Sequence, residues 1–218
     1  MKKAVLFDLD GTLWHTCDVI LPVWNDILKK HKETTKQITL EEMNSYMGKT
    51  VEQIASIMLP ELTLENSVAI VKECCAEQIP SLRKTGGHLY DNLESTLKIL
   101  SKDYFLGIIS NCQCGYIEAF LFAHKLEKYF SDFEMSGRTN LTKGENIKLV
   151  MERNSIDKAV CISAIQSVIS LPPKMQKYRS CLHHTDSAQR KIPNIQSVRS
   201  MNCQKLQKKF SADCQKIG

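Results

Sequence analysis

Asp8 and Asp10 stand one residue apart at the end of the apolar run Lys3-Ala4-Val5-Leu6-Phe7, and Gly11-Thr12-Leu13 follows them. Alternate residues of an extended chain share a face, so both carboxylates point into one crevice. Two acids that close repel each other unless a cation lies between them. A buried strand that carries such a pair to the rim of a sheet is a poor choice for structure alone, so the pair is the first candidate for chemistry. Two more candidates follow in chain order. Ser110-Asn111 ends a second apolar run, Tyr104-Phe105-Leu106-Gly107-Ile108-Ile109, and Lys143 opens a helical stretch after Ser136-Gly137-Arg138-Thr139-Asn140-Leu141-Thr142.

An apolar strand running into D-L-D-G-T-L resembles the first motif, D-x-D-G-T, of the haloacid dehalogenase-like (HAD) phosphatase superfamily. Ser110 with Asn111 resembles the second motif and Lys143 the third. The resemblance implies that Asp8 attacks phosphorus to give an aspartyl-phosphate, while Asp10 protonates the leaving alcohol and later deprotonates water. It also implies that Thr12, Ser110 and Asn111 hold phosphate oxygens, that Lys143 neutralises nucleophile and phosphate together, and that Asp8 and Asp10 share a Mg²⁺. Displacing a halide from carbon needs neither a metal nor a proton donor, so Asp10 favours phosphate esters over haloacids. The match spans 1–160 and is nearest to phosphoglycolate phosphatase-like enzymes with a helical cap. In these the cap covers the site and reads the leaving group. Tyr46-Met47-Gly48-Lys49-Thr50 is the loop expected to face substrate, through Gly48 and Lys49, while Trp14 and His15 are read as hinge packing. The implied substrate is a small phosphorylated metabolite. A non-catalytic phosphate-binding relative is the alternative, or a phosphomutase or phosphonatase of the same superfamily.

The elements that must position these residues alternate along the chain. After the first strand, 18–32 reads as an amphipathic helix with Val19, Leu21, Trp24, Ile27 and Leu28 on its apolar face. Thr39, with Glu42 three residues on, reads as a capping box, and helices follow at about 50–58 and 64–82. The segment 15–85 is therefore an all-helical insertion, the cap. Helix and strand alternate from residue 86: helix 92–101, the strand ending at Ser110, helix 115–123, a short strand near Phe133, helix 143–154 and a strand from Lys158. This order predicts an α/β fold with a doubly wound parallel sheet and ligands beyond the carboxyl ends of its strands. The core is assigned to 1–14 and 86–160.

The 218 residues carry a net charge of +5, but unevenly. Residues 1–160 hold 19 basic and 22 acidic side chains, whereas 161–218 hold 10 basic, 2 acidic and no Glu. No run of about 18 apolar residues spans a membrane, and no signal-peptide pattern opens the chain. Nine cysteines, an odd number in a chain of this length, fit a reduced cytoplasm better than a disulfide framework. Neither a nucleic-acid partner nor a membrane is expected. Cys112 and Cys114 read as buried or loop residues, and Cys181 with His183-His184 is not read as a metal cluster.

The fourth motif of the family, G-D-x-x-x-D, should follow the strand at Lys158. The chain instead reads Cys161-Ile162-Ser163-Ala164-Ile165-Gln166-Ser167-Val168-Ile169, with no acid before Asp186. Joining the third base of each codon to the first two of the next permits V-Y-I-G-D-T-I-S-D from Val160, and a closing helix S-F-Y-E-L-P-K-V-A-E-K-I-F from Val198 to Phe210. Some shifted residues are forced: Met201-Asn202 requires Glu and Asn202-Cys203 requires Leu. The expectation is a reading-frame slip near Val160, with 161–218 an out-of-frame, poorly ordered tail, the last strand and helix of the core missing or poorly formed, and activity impaired.

Overall fold

Val5 and Phe7 of β1 (Lys3–Phe7) join one hydrophobic cluster while Ala4 and Leu6 join another, and none of the four is more than 6% exposed. A strand buried on both faces reads as an unbroken apolar run, which is what precedes Asp8. The computed structural model describes residues 3–162 and 195–197. After β1 come β2 (Trp14–His15), α1 (Cys17–Leu28), α2 (Leu40–Tyr46), α3 (Val51–Met58), α4 (Leu64–Thr85) and β3 (His88–Leu89). They are followed by α5 (Leu93–Leu100), β4 (Phe105–Ser110), α6 (Tyr116–His124), β5 (Asp132–Met135), α7 (Ser136–Thr139), α8 (Lys143–Arg153), β6 (Lys158–Ile162) and β7 (Ile195–Ser197).

The main sheet has the order β5-β4-β1-β6-β7, and every pairing in it is parallel. One face packs Leu93 and Leu97 of α5 and Ile117 and Phe120 of α6 into the larger cluster. The other face packs Ile147, Val150 and Met151 of α8 against Leu6, Phe105 and Ile109. Helices on both faces of a parallel sheet make it the doubly wound α/β architecture expected from the alternation. The switch in strand order falls between β4 and β6, on either side of β1. The end of β1, where Asp8 follows, is therefore the crevice where such folds bind ligands.

Four helices, α1 to α4, are inserted between β2 and β3. Those two strands pair antiparallel, Trp14 opposite Leu89 and His15 opposite His88, so the chain enters and leaves the insertion through one short ribbon. Thr39, Thr50 and Thr63 each accept a backbone N–H at the start of α2, α3 and α4, and Glu42 and Gln53 close the first two as capping boxes. The apolar face of α1 differs from the expected one. Cys17, Ile20, Trp24, Ile27 and Leu28 are buried, at helical spacing, while Val19 and Leu21 are half-buried at its edges. The helix also ends at Leu28 rather than at residue 32. Lys30 and His31 donate to Ile27 and Leu28 in tightened three-residue turns that break the α ladder.

In the expected tail, Cys161 and Ile162 complete β6, and the three residues of β7 pair with it in the register Ala159 opposite Ile195. The rest of the proposed out-of-frame stretch, 163–194 and 198–218, lies outside the described residues.

Candidate active site

Asp8 is the first residue past β1, and the chain after it turns sharply. Thr12 and Leu13 donate to the Leu9 carbonyl, and Gly11, at φ +71°, donates to the Trp14 carbonyl. A left-handed residue at this turn is why glycine follows the second acid. The turn buries Leu9 completely and leaves Asp8 and Asp10 half-buried on one cleft, so the alternation read from the sequence persists beyond the strand proper.

Lys143 meets Asp8 here: its Nζ lies 2.7 Å from Asp8 Oδ2. The other oxygen, Oδ1, accepts the Leu9 N–H at 2.8 Å. Lys143 is the first residue of α8, which Thr142 and Glu145 cap reciprocally, and the far end of that helix is clamped to β5. Arg153 donates to both oxygens of Asp132, at 2.7 and 2.6 Å, and at 2.7 Å to Glu134 Oε2, while Arg138 donates to Glu134 Oε1 at 2.8 Å. Bidentate Arg–carboxylate geometry fixes orientation as well as proximity. The clamp thus aims the N-terminus of α8, with its partial positive charge, at Asp8.

Asp10 is held differently. Its Oδ1 accepts from the Tyr116 hydroxyl at 2.9 Å and from the Trp14 indole Nε1 at 3.1 Å, and the Tyr116 oxygen also lies 2.9 Å from Thr16 Oγ1. Burial is the main cause pushing the Asp10 carboxyl up to about 7, with the charge of Asp8 adding to it, while the Tyr116 and Trp14 hydrogen bonds pull it back. A carboxyl poised there can both give and take a proton near neutral pH. Burial likewise holds the Tyr116 hydroxyl well above its ordinary value, so it stays a donor to Asp10.

Ser110 ends β4 on the same cleft, 3% exposed, with its Oγ accepting the Cys112 N–H at 3.2 Å. Asn111 also lines the cleft, but its Nδ2 donates to the Gly48 carbonyl at 3.1 Å and its Oδ1 accepts from Ser136 at 3.3 Å. Gln113 makes a second bond across the same gap, to the Cys75 carbonyl at 3.0 Å. These two contacts seat the helical insertion on the loop after β4. The cavity left between them measures about 60 Å³. Gly137 presses on that loop from behind, and a Cβ there would come 2.4 Å from Gln113 Cα.

Seven of the residues singled out from the sequence, Asp8, Asp10, Gly48, Lys49, Ser110, Asn111 and Lys143, border this one cleft. Thr12 does not. It is 0% exposed and missing from the cleft's walls, because the turn after Gly11 carries its side chain into the protein. Lys49 Nζ donates to the Ser45 carbonyl at 2.6 Å. Trp14 does more than pack a hinge, since its indole also holds Asp10. Tyr116 was not legible, because its hydroxyl reaches Asp10 across a sequence separation of 106 residues.

Asp8 and Asp10 are hard oxygen donors on one cleft, the type Mg²⁺ takes, and Mg²⁺ keeps several waters while leaning on one or two carboxylates and substrate phosphate. The residues present therefore fit the ion. Among the described residues no group of three or more His, Cys, Asp or Glu side chains gathers around them. Nor is any helix among those residues long and apolar enough to cross a membrane.

A parallel α/β sheet with a helical insertion after its first strand, and an acid pair and a lysine at that strand's end, defines a class of hydrolase fold. The model of the haloacid dehalogenase-like hydrolases matches residues 5–163, and the chain belongs to that family. Enzymes of this superfamily generally use Mg²⁺. No curated protein matches the sequence. Among solved structures, one classed as a haloacid dehalogenase-like hydrolase from Bacteroides fragilis is 20% identical, with a TM-score of 0.65 over 84% of this chain and 95% of its own. A predicted phosphoglycolate phosphatase from Haemophilus somnus is 18% identical, with a TM-score of 0.62 over 74% and 76%. The β-phosphoglucomutase of Clostridium difficile is 15% identical, with a TM-score of 0.62 over 98% and 99%. At these identities the likeness is one of fold.

Proposed function

We propose that the chain is built as a phosphoric monoester hydrolase for a small phosphorylated metabolite, working through an aspartyl-phosphate on Asp8. The observation that carries this reading is the 2.7 Å pair of Asp8 with Lys143, in the same cleft as an Asp10 carboxyl held near neutrality by burial. An Asp8 oxygen attacks phosphorus in line with the ester oxygen. The phosphorus–ester bond breaks, and the departing alkoxide takes the Asp10 proton. Water then attacks the phosphoaspartate and gives its proton to the Asp10 carboxylate. Cleavage of the acyl phosphate frees inorganic phosphate and returns Asp8. Lys143, the Ser110 hydroxyl and the backbone after β4 stand where charge on the transferring group would be balanced. Asp8 would hold Mg²⁺, with Asp10 contributing through its backbone carbonyl so that its carboxyl stays free to move the proton, and the ion would balance charge on Asp8 and the phosphoryl group.

The same reading limits the chain as it stands. A fourth motif is missing from the sequence after Ile162, where no acid precedes Asp186, so turnover is impaired, and a reading-frame slip near Val160 accounts for the loss. The test is an assay on an aryl phosphate, with and without Mg²⁺, of this chain, of its Asp8→Asn variant and of a frame-restored chain. Slow turnover by this chain, roughly 10²-fold faster turnover by the restored one, and none after Asp8→Asn are the expected results. Turnover that survives Asp8→Asn sinks the nucleophile assignment, and equal rates for the two chains sink the impairment. Protection from unfolding by phosphate, with no turnover by either chain, would make this a phosphate-binding relative instead.

A further inference from the structure

Gln78 is a polar side chain buried in the cap, 3% exposed, and the reaction above makes no use of it. Its Oε1 lies 2.6 Å from the indole Nε1 of Trp24, itself 2% exposed. An indole N–H can only donate, so this contact fixes which end of the amide is oxygen and turns the NH₂ group away from Trp24. Both residues border the cleft. The NH₂ group meets no acceptor among the described residues and is not sealed off, so it opens onto that cleft. Other polar groups of the cap wall are donors too. The Tyr46 hydroxyl has no partner among the described residues, and burial pushes it up to about 12, so it keeps its proton. The Lys49 ammonium uses one N–H on the Ser45 carbonyl and has two more. A buried donor without an acceptor is destabilising; a ligand oxygen would satisfy it, whereas an alkyl group would strand it. Resting on the phosphatase reading above, we infer that Gln78, oriented by Trp24, is a specificity-determining residue whose amide N–H donates to an acceptor oxygen on the leaving group. The substrate is then the phosphate ester of an oxygen-bearing alcohol and not of a plain alkyl one.

Non-hydrolysable phosphonates test this on the full chain by calorimetry, with Mg²⁺ at about pH 8 and without requiring turnover. Hydroxyethylphosphonate and propylphosphonate differ only in a terminal hydroxyl in place of a methyl group, and phosphonoacetate carries a carboxylate there. Inorganic phosphate, which has no leaving group, is the reference for every variant. Hydroxyethylphosphonate is expected to bind about fivefold more tightly than propylphosphonate, the effect of one hydrogen bond. Phosphonoacetate binding more tightly still would make the oxygen a carboxylate, and binding more weakly than hydroxyethylphosphonate would make it a neutral one. Gln78→Met removes the donor at similar size and is expected to bring the hydroxyl and methyl compounds level. Gln78→Glu still offers the indole an oxygen but turns a carboxylate to the ligand, and is expected to favour propylphosphonate. In the unmodified chain, propylphosphonate binding as tightly as both oxygen-bearing compounds, or more tightly, overturns the inference while leaving the phosphate site intact. A preference that survives Gln78→Met takes the role away from Gln78. Absence of binding by inorganic phosphate and by every phosphonate overturns the phosphatase reading itself, and this inference with it.

Discussion

Asp10 is where the environment of a single side chain changes its chemistry most. Its carboxyl, ordinarily near 3.8, is raised to about 7 chiefly by burial, so the folded protein holds a proton that the unfolded chain releases. The folded value lies above the unfolded one, so stability falls as pH rises from about 4 towards 7 and levels off above. Asp10→Asn should flatten that decline in metal-free denaturation curves followed across the same range. Tyr116→Phe should move the carboxyl further up, because it removes a hydrogen bond that favours the charged form. A ¹³C titration of the Asp10 carboxyl would read the shift directly, and a downward movement would show that the phenol contributes something other than a donor.

Elements matter here through how they are tied together. The turn after α1 is pinned to α4 by His31, whose Nε2 lies 2.9 Å from Glu73 and whose Nδ1 lies 3.2 Å from Glu33. The Glu73 hydrogen bond is the main cause raising the imidazole above 6.5. Its stabilisation is therefore complete below the unfolded value and lost as pH rises through the folded one. His31→Gln should cost about 0.5 kcal/mol at pH 6 and nothing measurable at pH 9, by urea denaturation at both pH values, since a partly exposed pair is screened by solvent. The loop after β4 depends on a close approach instead. Gly137→Ala forces a Cβ against Gln113 and Cys114 backbone, so a loss of about 1–3 kcal/mol and a retreat of the Ser110–Cys112 loop are expected. Thermal denaturation and phosphate titration of the variant would check the two effects separately.

At the scale of the whole molecule, the helical insertion decides access. Its entry and exit share one two-residue ribbon, and the bonds Asn111–Gly48 and Gln113–Cys75 close it on the core, leaving the 60 Å³ cavity. Gln113→Ala should weaken the seating of these surfaces. The expected result is faster amide exchange at Cys75–Gln78, without loss of the α8 clamp, in hydrogen-exchange measurements. The missing fourth motif also acts at this scale. On the proposed reading, frame restoration should raise the affinity for Mg²⁺, measurable by calorimetry, because it would add carboxylates after β6, the strand that pairs with β1 beside Asp8.

Local pattern was enough for much of this protein. The run of apolar residues before Asp8, the threonine caps with Glu or Gln three residues on, and the alternation of helix and strand state the α/β architecture and the inserted helices, because each is a short-range consequence of side-chain shape and hydrogen bonding. Asp8, Asp10, Ser110 and Lys143 were legible as a group because the two acids directly follow an apolar strand, Ser110 ends another and Lys143 opens a helix. The abrupt loss of acids after Ile162 was likewise visible in the sequence alone. Tertiary structure decided what depends on distant residues meeting. It buried Thr12 away from the cleft, put Ile20 rather than Val19 on the inner face of α1, and brought Tyr116 and Trp14 onto Asp10. It also set Asn111 against the Gly48 carbonyl and Gln78 against the Trp24 indole. A carboxyl becomes a neutral-pH acid only when a fold removes its water, and no spacing along the chain records that burial.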